Sequence, residues 1–226
     1  LNDIINMEYI YEKNKKELEG IVAQHIAQEI RILLRSQKYV VLGLVGGRSV
    51  SGVYKKLARE SVNWKNVHMF MVDERFVPLF SKESNARMVR DCFSEVMSES
   101  NMHFFDPKKE TVKEYYKSLK EYGGRFDIVV LSAGEDDHIA SLFAGHPESS
   151  RSCFIEIRDA PKPPKKRMSA SRKLLLASPY AHLLFMGDKK KHALSMFFDE
   201  TVHEEEAPAK LVYRMKHTFV YSDVKV

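Results

Sequence analysis

The sequence predicts a three-layer α/β sandwich, in which helices cover both faces of a mostly parallel central sheet. Short runs that are apolar on both faces recur along the chain, which is typical of strands buried between helical layers. Amphipathic helical patterns separate these runs, and this alternation is typical of a parallel sheet. With 226 residues, of which 44% are hydrophobic, the chain is long enough for one sizeable core. We therefore expect residues 1–226 to form a single domain.

Five segments are predicted strands. Four of them are apolar on both faces and the fifth is the last strand of the chain; they span residues 39–45, 67–72, 126–131, 181–186 and 217–222. Helical periodicity is clearest in residues 18–34, and further helices are predicted at 49–60, 85–99, 113–122 and 190–198. The segment PKPPKKRMSASRK, residues 161–173, is interpreted as a basic loop that begins with prolines.

Composition excludes several classes of protein. The two cysteines, Cys92 and Cys153, lie far apart without metal-ligand spacing, which argues against a structural zinc and favours a reducing, cytoplasmic setting. No apolar run approaches the ~18 residues of a membrane span. The acidic stretch 203–206 has no second ligand at useful spacing, so no metal site is predicted. A net charge of +5 suits an anionic ligand, whereas nucleic acid usually needs a denser basic patch.

Polar clusters follow four of the predicted strands at their carboxyl ends. GGRS follows the first strand, DER the second, GEDDH the third and GDKKK the fourth. In open α/β sheets, ligands bind in the crevice outside those ends. The four clusters are therefore predicted to converge on one pocket.

Each cluster has a functional and an ordinary interpretation. Gly46 and Gly47 open a helix whose amino terminus suits a phosphate, although a plain turn capped by Ser49 would read the same way. Asp73 and Arg75 suit a polar substrate, or form a solvated ion pair at a strand end.

The histidine in GEDDH is the most suggestive residue. A carboxylate from Glu135 or Asp136 would fix the tautomer of His138 and make it a useful base, whereas a lone histidine after a strand is more often a structural donor. Arg167 and the lysines 165–166 and 189–191 offer cations for a phosphate, or simply form solvated surfaces.

Taken in order, these stretches resemble the 6-phosphogluconolactonase family over nearly the whole chain. LGLVGGRSV is similar to the family's strand-GG-[ST] loop, VDERFVPLFSKESNARM to its DER-x-VP segment, and GEDDHIASLFAGHP to GxDGHTASLFPxHP. PKPPKKRMS is similar to PKPP-x-x-R-[VI]-T, GDKK to a G-x-x-K helix start, and APAKLVYRMKHTFVYSD to the stretch before the final strand. One such match is modest, but six in the right order are highly specific.

The resemblance implies a single Rossmann-like domain that hydrolyses 6-phosphoglucono-δ-lactone to 6-phosphogluconate without metal or organic cofactor. It implies that His138 is the base that activates water, that Asp136 orients it, and that Arg75 stabilises the developing charge. The implied substrate and phosphate ligands are Gly46, Gly47, Arg48, Ser49, Asp73, Arg167 and Lys190. A cytoplasmic monomer that binds neither nucleic acid nor membrane is expected. Fusion or association with glucose-6-phosphate dehydrogenase is left open.

The chain departs from the family pattern in both functional loops. Asp137 replaces a glycine before the histidine; aspartate is among the few residues that tolerate a positive φ, and its charge, if close to the imidazole, would move the activity optimum upward. Arg48 and Val50 replace a hydroxyl residue and a proline in the glycine loop. The poorest match is 168–173, after Arg167.

Three alternatives remain at this stage. A glucosamine-6-phosphate deaminase shares the fold and a GHIA tetrad, but that family has DEY-x-G and GHIAFNEP where this chain has DERFVP and HIASLF. A catalytically silent sugar-phosphate-binding protein would explain the loop departures. A nucleic-acid-binding role for the 162–173 loop lacks the aromatic residues of a stacking platform.

Overall fold

The computed structural model describes residues 6–145 and 151–226, which form an α/β fold around a seven-stranded parallel sheet. The strand order is β1-β10-β9-β6-β2-β3-β5, and every neighbouring pair is parallel. A second sheet is antiparallel, with the order β4-β8-β7. The strands are β1 Asn6–Tyr11, β2 Val40–Leu44, β3 Val67–Met71, β4 Asp73–Arg75, β5 Met102–His103, β6 Ile128–Ser132, β7 Phe154–Ile157, β8 Arg167–Ala170, β9 Tyr180–Phe185 and β10 His217–Ser222.

Six α-helices connect the strands in the described residues. They are α1 Lys15–Leu33, α2 Arg48–Leu57, α3 Asn85–Phe93, α4 Val112–Lys120, α5 Arg172–Leu176 and α6 Lys191–Phe198. Short 3₁₀ helices lie at Trp64–Asn66, Glu99–Asn101, Asp188–Lys190 and Pro208–Arg214. None of the described helices has the length and apolar character needed to cross a bilayer.

Local sequence signals explain where the helices start. Asn14 caps α1, because its side-chain oxygen accepts hydrogen bonds from the backbone N–H groups of Lys16 and Glu17. Thr111 and Glu114 form a capping box at the start of α4. The predicted face of α1 is buried, including Leu18, Val22, Ile26 and Ile30, and this face anchors the helix on the core.

The core lies on the parallel sheet, and its packing is close. All residues of β2 are buried, as the doubly apolar run predicts. Gly43 has no room for a side chain, because a Cβ atom there would lie 2.8 Å from the ring of Phe126. The ring of Phe126 therefore packs directly on the backbone of β2.

The predicted fold class is confirmed, with corrections at the edges. All five predicted strands are present, with bounds within two residues of those expected. Sequence patterns missed the edge strand β1, which mixes polar and apolar residues, and β5, which has only two residues. The helix predicted to end at residue 99 ends at Phe93, because Val96 is 40% exposed and does not extend the buried face.

The prediction of one loop over residues 161–173 was wrong in its second half. Residues Arg167–Ala170 form β8, which pairs with β4 on one side and β7 on the other. Residues from Arg172 onward begin α5, capped by Ser171. The periodicity of a four-residue strand whose residues are all buried carries little signal, and the basic residues around it suggested solvent.

Candidate active site

A cleft of about 470 Å³ lies where the chain leaves the carboxyl ends of β2, β3, β6 and β9. The four predicted clusters therefore do converge, as expected for an open α/β sheet. The predicted site residues that line the cleft are Gly46, Gly47, Arg48, Ser49, Asp73, Arg75, His138, Arg167 and Lys190. Asp136 reaches the cleft through its hydrogen bond to His138.

The glycine loop connects β2 to α2, and it leaves no room for a side chain at Gly46. Gly47 has a φ of +115°, a conformation that favours glycine. A Cβ atom on Gly46 would lie 1.9 Å from the side-chain oxygen of Asn85. The hydroxyl of Ser49 is hydrogen-bonded to that of Ser132 at 2.7 Å, so Ser49 is held at the start of α2. Both glycines are needed for the backbone to face the cleft at the amino terminus of α2.

The second cluster is built around two buried acids. The Glu74 carboxylate accepts hydrogen bonds from the backbone N–H groups of Asn85 and Ala86 at 2.8 and 2.7 Å, and so anchors the start of α3. Burial nevertheless raises the pKa of Glu74. Asp73 accepts hydrogen bonds from the Ser141 hydroxyl at 3.0 Å and from the Asn85 amide at 3.2 Å. These contacts tie the second and third clusters together.

Two arginines face the cleft from neighbouring strands of the antiparallel sheet. Arg75 of β4 and Arg167 of β8 are direct partners in the ladder. Arg167 is only 6% exposed, and its guanidinium donates to the carbonyl oxygens of Lys162 and Pro164. Burial lowers the pKa of Arg167, and the charge of Arg75 lowers it further.

The Arg75 guanidinium is only partly satisfied. Its Nη1 atom donates to the carbonyl of Glu83 at 2.8 Å, whereas its buried Nε atom has no hydrogen-bond partner within the described residues. A buried donor without a partner, beside a second guanidinium, provides a place for an oxyanion.

The third cluster holds a histidine and a carboxylate in contact. His138 Nδ1 lies 2.6 Å from Asp136 Oδ1, and the imidazole packs on the ring of Phe143. The hydrogen bond from His138 is the main reason that the pKa of Asp136 is lowered to about 2. Asp136 is therefore ionised at neutral pH and accepts the Nδ1 proton. Within the described chain the Nε2 atom of His138 makes no hydrogen bond, and the side chain is 20% exposed.

Backbone geometry gives this cluster its shape. Asp137 and Ala140 have φ values of +57° and +51°, and the Gly134 N–H donates to the His138 carbonyl at 2.7 Å. A Cβ atom on Gly134 would lie 2.0 Å from His138 Nδ1, so only glycine fits there. Residue 137 does have a positive φ, which is a conformation that aspartate tolerates.

The carboxyl group of Asp137 makes no hydrogen bond to the imidazole. It is fully buried, and neither of its oxygens has a hydrogen-bond partner in the part of the chain that the structure describes. Burial raises the pKa of Asp137 to about 8. The partner of the imidazole is Asp136. The idea that Asp137 acts on His138 as a close carboxylate therefore has no support in the geometry.

The fourth cluster supplies a lysine. Gly187, with a φ of +100°, donates its N–H to Asp223 at 2.7 Å and starts the 3₁₀ turn that carries Lys190. Burial lowers the pKa of Lys190, while Glu135 and Asp136 oppose this effect. Lys190 is thus a partly desolvated cation near the His138–Asp136 pair.

The other predicted cations divide into two groups. Arg48 and Lys189 line the cleft, whereas Lys165, Lys166 and Lys191 do not. Lys166 instead pairs with Glu156 at 3.1 Å, outside the cleft. In the acidic stretch 203–206, Glu204 pairs with Arg172 and Arg214, and no group of side chains in the described residues is arranged to hold a metal ion.

Sequence reasoning missed several residues of the site. Asn85, Ser132, Lys15 and Lys162 all line the cleft. Asn85 had a usable signal, because it follows the serine in the SN pair of the quoted DER segment. Lys15 had none, since it starts α1 and lies far in sequence from the other clusters.

Comparison with known families agrees with this geometry. Residues 13–221 match the model of the glucosamine-6-phosphate isomerase/6-phosphogluconolactonase family. The chain belongs to this family. The resemblance that the sequence motifs indicated is thereby confirmed.

Curated members of the family are similar over most of the chain. A 6-phosphogluconolactonase of Borreliella burgdorferi is 28% identical over 97% of this chain and 97% of its own length. One of Thermotoga maritima is 30% identical over 80% of this chain and 84% of its own.

Solved structures of the family share the fold. The 6-phosphogluconolactonase of Thermotoga maritima aligns with a TM-score of 0.85 at 24% identity, covering 96% of this chain and 99% of that one. A monomeric glucosamine-6-phosphate deaminase aligns with a TM-score of 0.80 at 21% identity, covering 96% and 97%. Both activities therefore occur on this fold, and the choice between them depends on the site residues.

Proposed function

We propose that this protein hydrolyses 6-phosphoglucono-δ-lactone to 6-phosphogluconate. The observation that carries the proposal is the His138–Asp136 pair, held at 2.6 Å at the edge of a cleft lined by cations. A lactone needs a positioned base, and its phosphate needs cations. The curated relatives that cover most of the chain bear the name of this activity.

His138 is the base in this proposal. Asp136 accepts the proton on Nδ1, which leaves the lone pair of Nε2 free to take a proton from water. The water oxygen bonds to the lactone carbonyl carbon, giving a tetrahedral oxyanion. When this intermediate collapses, the bond between that carbon and the ring oxygen breaks, and the imidazolium returns the proton to the departing oxygen.

Arg75 stabilises the oxyanion. Its Nε donor lies buried and unpartnered within the described residues, so it is ready to bond to a developing negative charge without first giving up a partner. Asp73 is fixed by Ser141 and Asn85 and orients the polar groups of the sugar beside Arg75.

The phosphate binds at the amino terminus of α2. The backbone of Gly46 and Gly47 faces the cleft there, and the cleft is also lined by Ser49 of α2, Arg167 of β8 and Lys190 of the Asp188–Lys190 3₁₀ helix. Arg48 is exposed and adds to the positive field at the mouth of the cleft. Binding the remote phosphate orients the lactone against the base.

The proposal extends to the cofactor requirement, the location and the oligomeric state of the enzyme. His138 supplies the base and Arg75 the electrophile, so the proposed mechanism assigns no step to a metal or organic cofactor. A cytoplasmic monomer that acts on a small sugar phosphate is part of the proposal.

The deaminase is the second candidate, because a structure with that activity shares the fold. The chain carries DERFVP and HIASLF at the two positions where the deaminase pattern differs, which favours the lactonase. Turnover of glucosamine 6-phosphate in place of the lactone would reverse this choice.

The decisive experiment is lactone hydrolysis. Freshly generated 6-phosphogluconolactone is supplied, product is coupled to 6-phosphogluconate dehydrogenase, and the spontaneous rate is subtracted. The wild type, His138→Ala and His192→Ala are compared, since His192 is an exposed residue of α6 that does not line the cleft. We expect the first variant alone to lose activity. If wild-type protein only matches the spontaneous rate yet binds 6-phosphogluconate, the protein is a sugar-phosphate sensor instead.

A further inference from the structure

The buried carboxyl group of Asp137 has no role in the proposed mechanism. It lies between Asp136 and His138 in sequence, at a left-handed backbone position, and is completely inaccessible to solvent. Its backbone carbonyl accepts a hydrogen bond from the Ala209 N–H at 3.0 Å, which fixes the loop against the 3₁₀ helix Pro208–Arg214. Both side-chain oxygens lack a hydrogen-bond partner among the described residues.

The charged and titratable groups that face this carboxyl come from three elements. They are Asp136 on its own loop, Lys190 at the start of α6, and Lys210 and Tyr213 on the Pro208–Arg214 helix.

Lys210 and Tyr213 of the Pro208–Arg214 helix each donate a hydrogen bond to a backbone carbonyl instead. Lys210 Nζ donates to the carbonyl of Asp199 at 2.6 Å, and the Tyr213 hydroxyl donates to that of Phe197 at 3.2 Å. No donor within the described residues is hydrogen-bonded to the Asp137 carboxyl. This burial, opposed only in part by the lysines, raises the pKa of the group to about 8.

We propose that Asp137 sets the affinity of the cleft for anions in a proton-dependent way. When Asp137 is protonated, the positive charge of the cleft acts on the ligand undiminished. When it ionises, a buried negative charge appears beside Lys190 and opposes the binding of a phosphate group. This inference rests on the proposed function in one respect, namely that the phosphate binds beside Lys190.

The sign of the linkage follows directly. A bound dianion disfavours the ionised carboxylate, so binding raises the pKa of Asp137 and takes up a proton when the pH is near 8. The phosphate itself titrates near pH ~6 and contributes little at this pH. A displacement of half to one pKa unit corresponds to a loss of affinity of about three- to tenfold. The loss falls on KM, because His138 is paired with Asp136 and not with Asp137.

The test is calorimetric titration with 6-phosphogluconate, in buffers of different ionisation enthalpy, on both sides of the Asp137 pKa of about 8. Wild type is compared with Asp137→Asn, which keeps the shape of the protonated acid. Glu200→Gln is the matched control, since it removes an exposed carboxylate near Tyr213. We expect wild type and the control to take up a proton on binding and to weaken by about three- to tenfold at the alkaline end. Asp137→Asn is expected to take up fewer protons than wild type and to weaken less at the alkaline end.

Equal proton uptake in wild type and Asp137→Asn would overturn the inference, as would wild-type affinity that does not change across this range. If Asp137→Asn fails to fold, a carbon-13 titration of the wild-type aspartate carboxyls replaces it, with and without inorganic phosphate. An Asp137 signal that titrates in the acidic range of ordinary aspartates refutes the inference.

The two proposals fail in different ways. Proton-linked binding without turnover would overturn the proposed function alone. Turnover without proton linkage would overturn only the role of Asp137.

Discussion

Two histidine–carboxylate pairs in this protein are nearly identical in distance but differ in exposure. His138 contacts Asp136 at 2.6 Å at the edge of the cleft, and His182 of β9 contacts Glu29 of α1 at 2.7 Å inside the core. His182 is completely buried and its second nitrogen is bonded to the Tyr221 hydroxyl at 2.9 Å. His138 is partly exposed, and its second nitrogen has no partner in the described residues.

The comparison shows that pairing with a carboxylate does not make a histidine a base. Both imidazoles are held by an acid, but only one keeps a nitrogen available to a small molecule. The buried pair joins α1 to the sheet and has a structural role. Exposure of the second nitrogen is the property that separates the two roles, and the following substitutions test this separation.

Replacing His138 with alanine should have the largest effect on activity. Loss of a general base typically lowers kcat by about 10²–10⁴-fold. The melting temperature should change little, because the side chain lies at the surface of the cleft. Steady-state kinetics and thermal unfolding on the same preparation measure the kcat and the melting temperature. A variant that keeps wild-type kcat would remove His138 from the mechanism.

Replacing His182 with alanine should produce the converse result. The substitution leaves the buried Glu29 carboxylate without its partner, and breaking such a pair destabilises a fold by about 3–5 kcal/mol. The folded fraction should retain a kcat close to that of wild type. Urea denaturation with activity normalised to folded protein measures the two effects. A strong loss of kcat in the folded fraction would mean that the two pairs are coupled.

Replacing Asp136 with asparagine should lower kcat by about 10²-fold, less than the loss of the base itself. The amide no longer holds the Nδ1 proton, so the tautomer with a free Nε2 is less favoured. Since the pKa of Asp136 is lowered to about 2, the wild-type pair should persist throughout the acidic range in which the fold survives. Nitrogen-15 spectra of the imidazole report the tautomer in each variant. An unchanged tautomer in Asp136→Asn would contradict the orienting role.

The smallest effect on kcat is expected at Asp137, where the substitution acts on stability instead. The unfolded chain releases this proton near pH ~3.9 and the folded protein near pH 8, so the penalty for folding is absent at low pH and grows as the pH rises through this window. Asp137→Asn should remove the penalty, which for a pKa shift of this size is at most about 5 kcal/mol at pH ~8. The difference should vanish near pH ~4. Urea midpoints across this range test the sign, and a less stable variant at alkaline pH would contradict it.

Sequence patterns predicted the parts of the fold that depend on burial. Strands that are apolar on both faces, such as β2 and β6, are buried between layers, as such runs predict. The antiparallel sheet escaped prediction because β4 has three residues and β8 has four. Strands of that length have too few repeats for alternation to be visible.

The site was predictable to the extent that its residues follow strands. His138, Arg75 and Lys190 do so, and the topology of the sheet brings those loops together. The environment of each group was not predictable, since burial depends on the whole packing. Asp137 shows this most clearly, because its sequence neighbours suggested contact with the imidazole and its side chain turned into the protein.

The register of the antiparallel ladder between β4 and β8 fixes the positions of the two guanidinium groups relative to each other. Arg75 pairs with Arg167 and Glu74 with Met168, so the side chains of β8 alternate between two faces. A slip of one residue in β8 would present Met168 where Arg167 now stands and turn the arginine toward the core. The length of the proline-rich segment 161–166 can therefore vary among relatives only if the register of β8 is kept. An insertion within β8 would shift that register, and an insertion in 161–166 would also have to keep the carbonyl oxygens of Lys162 and Pro164 within reach of Arg167.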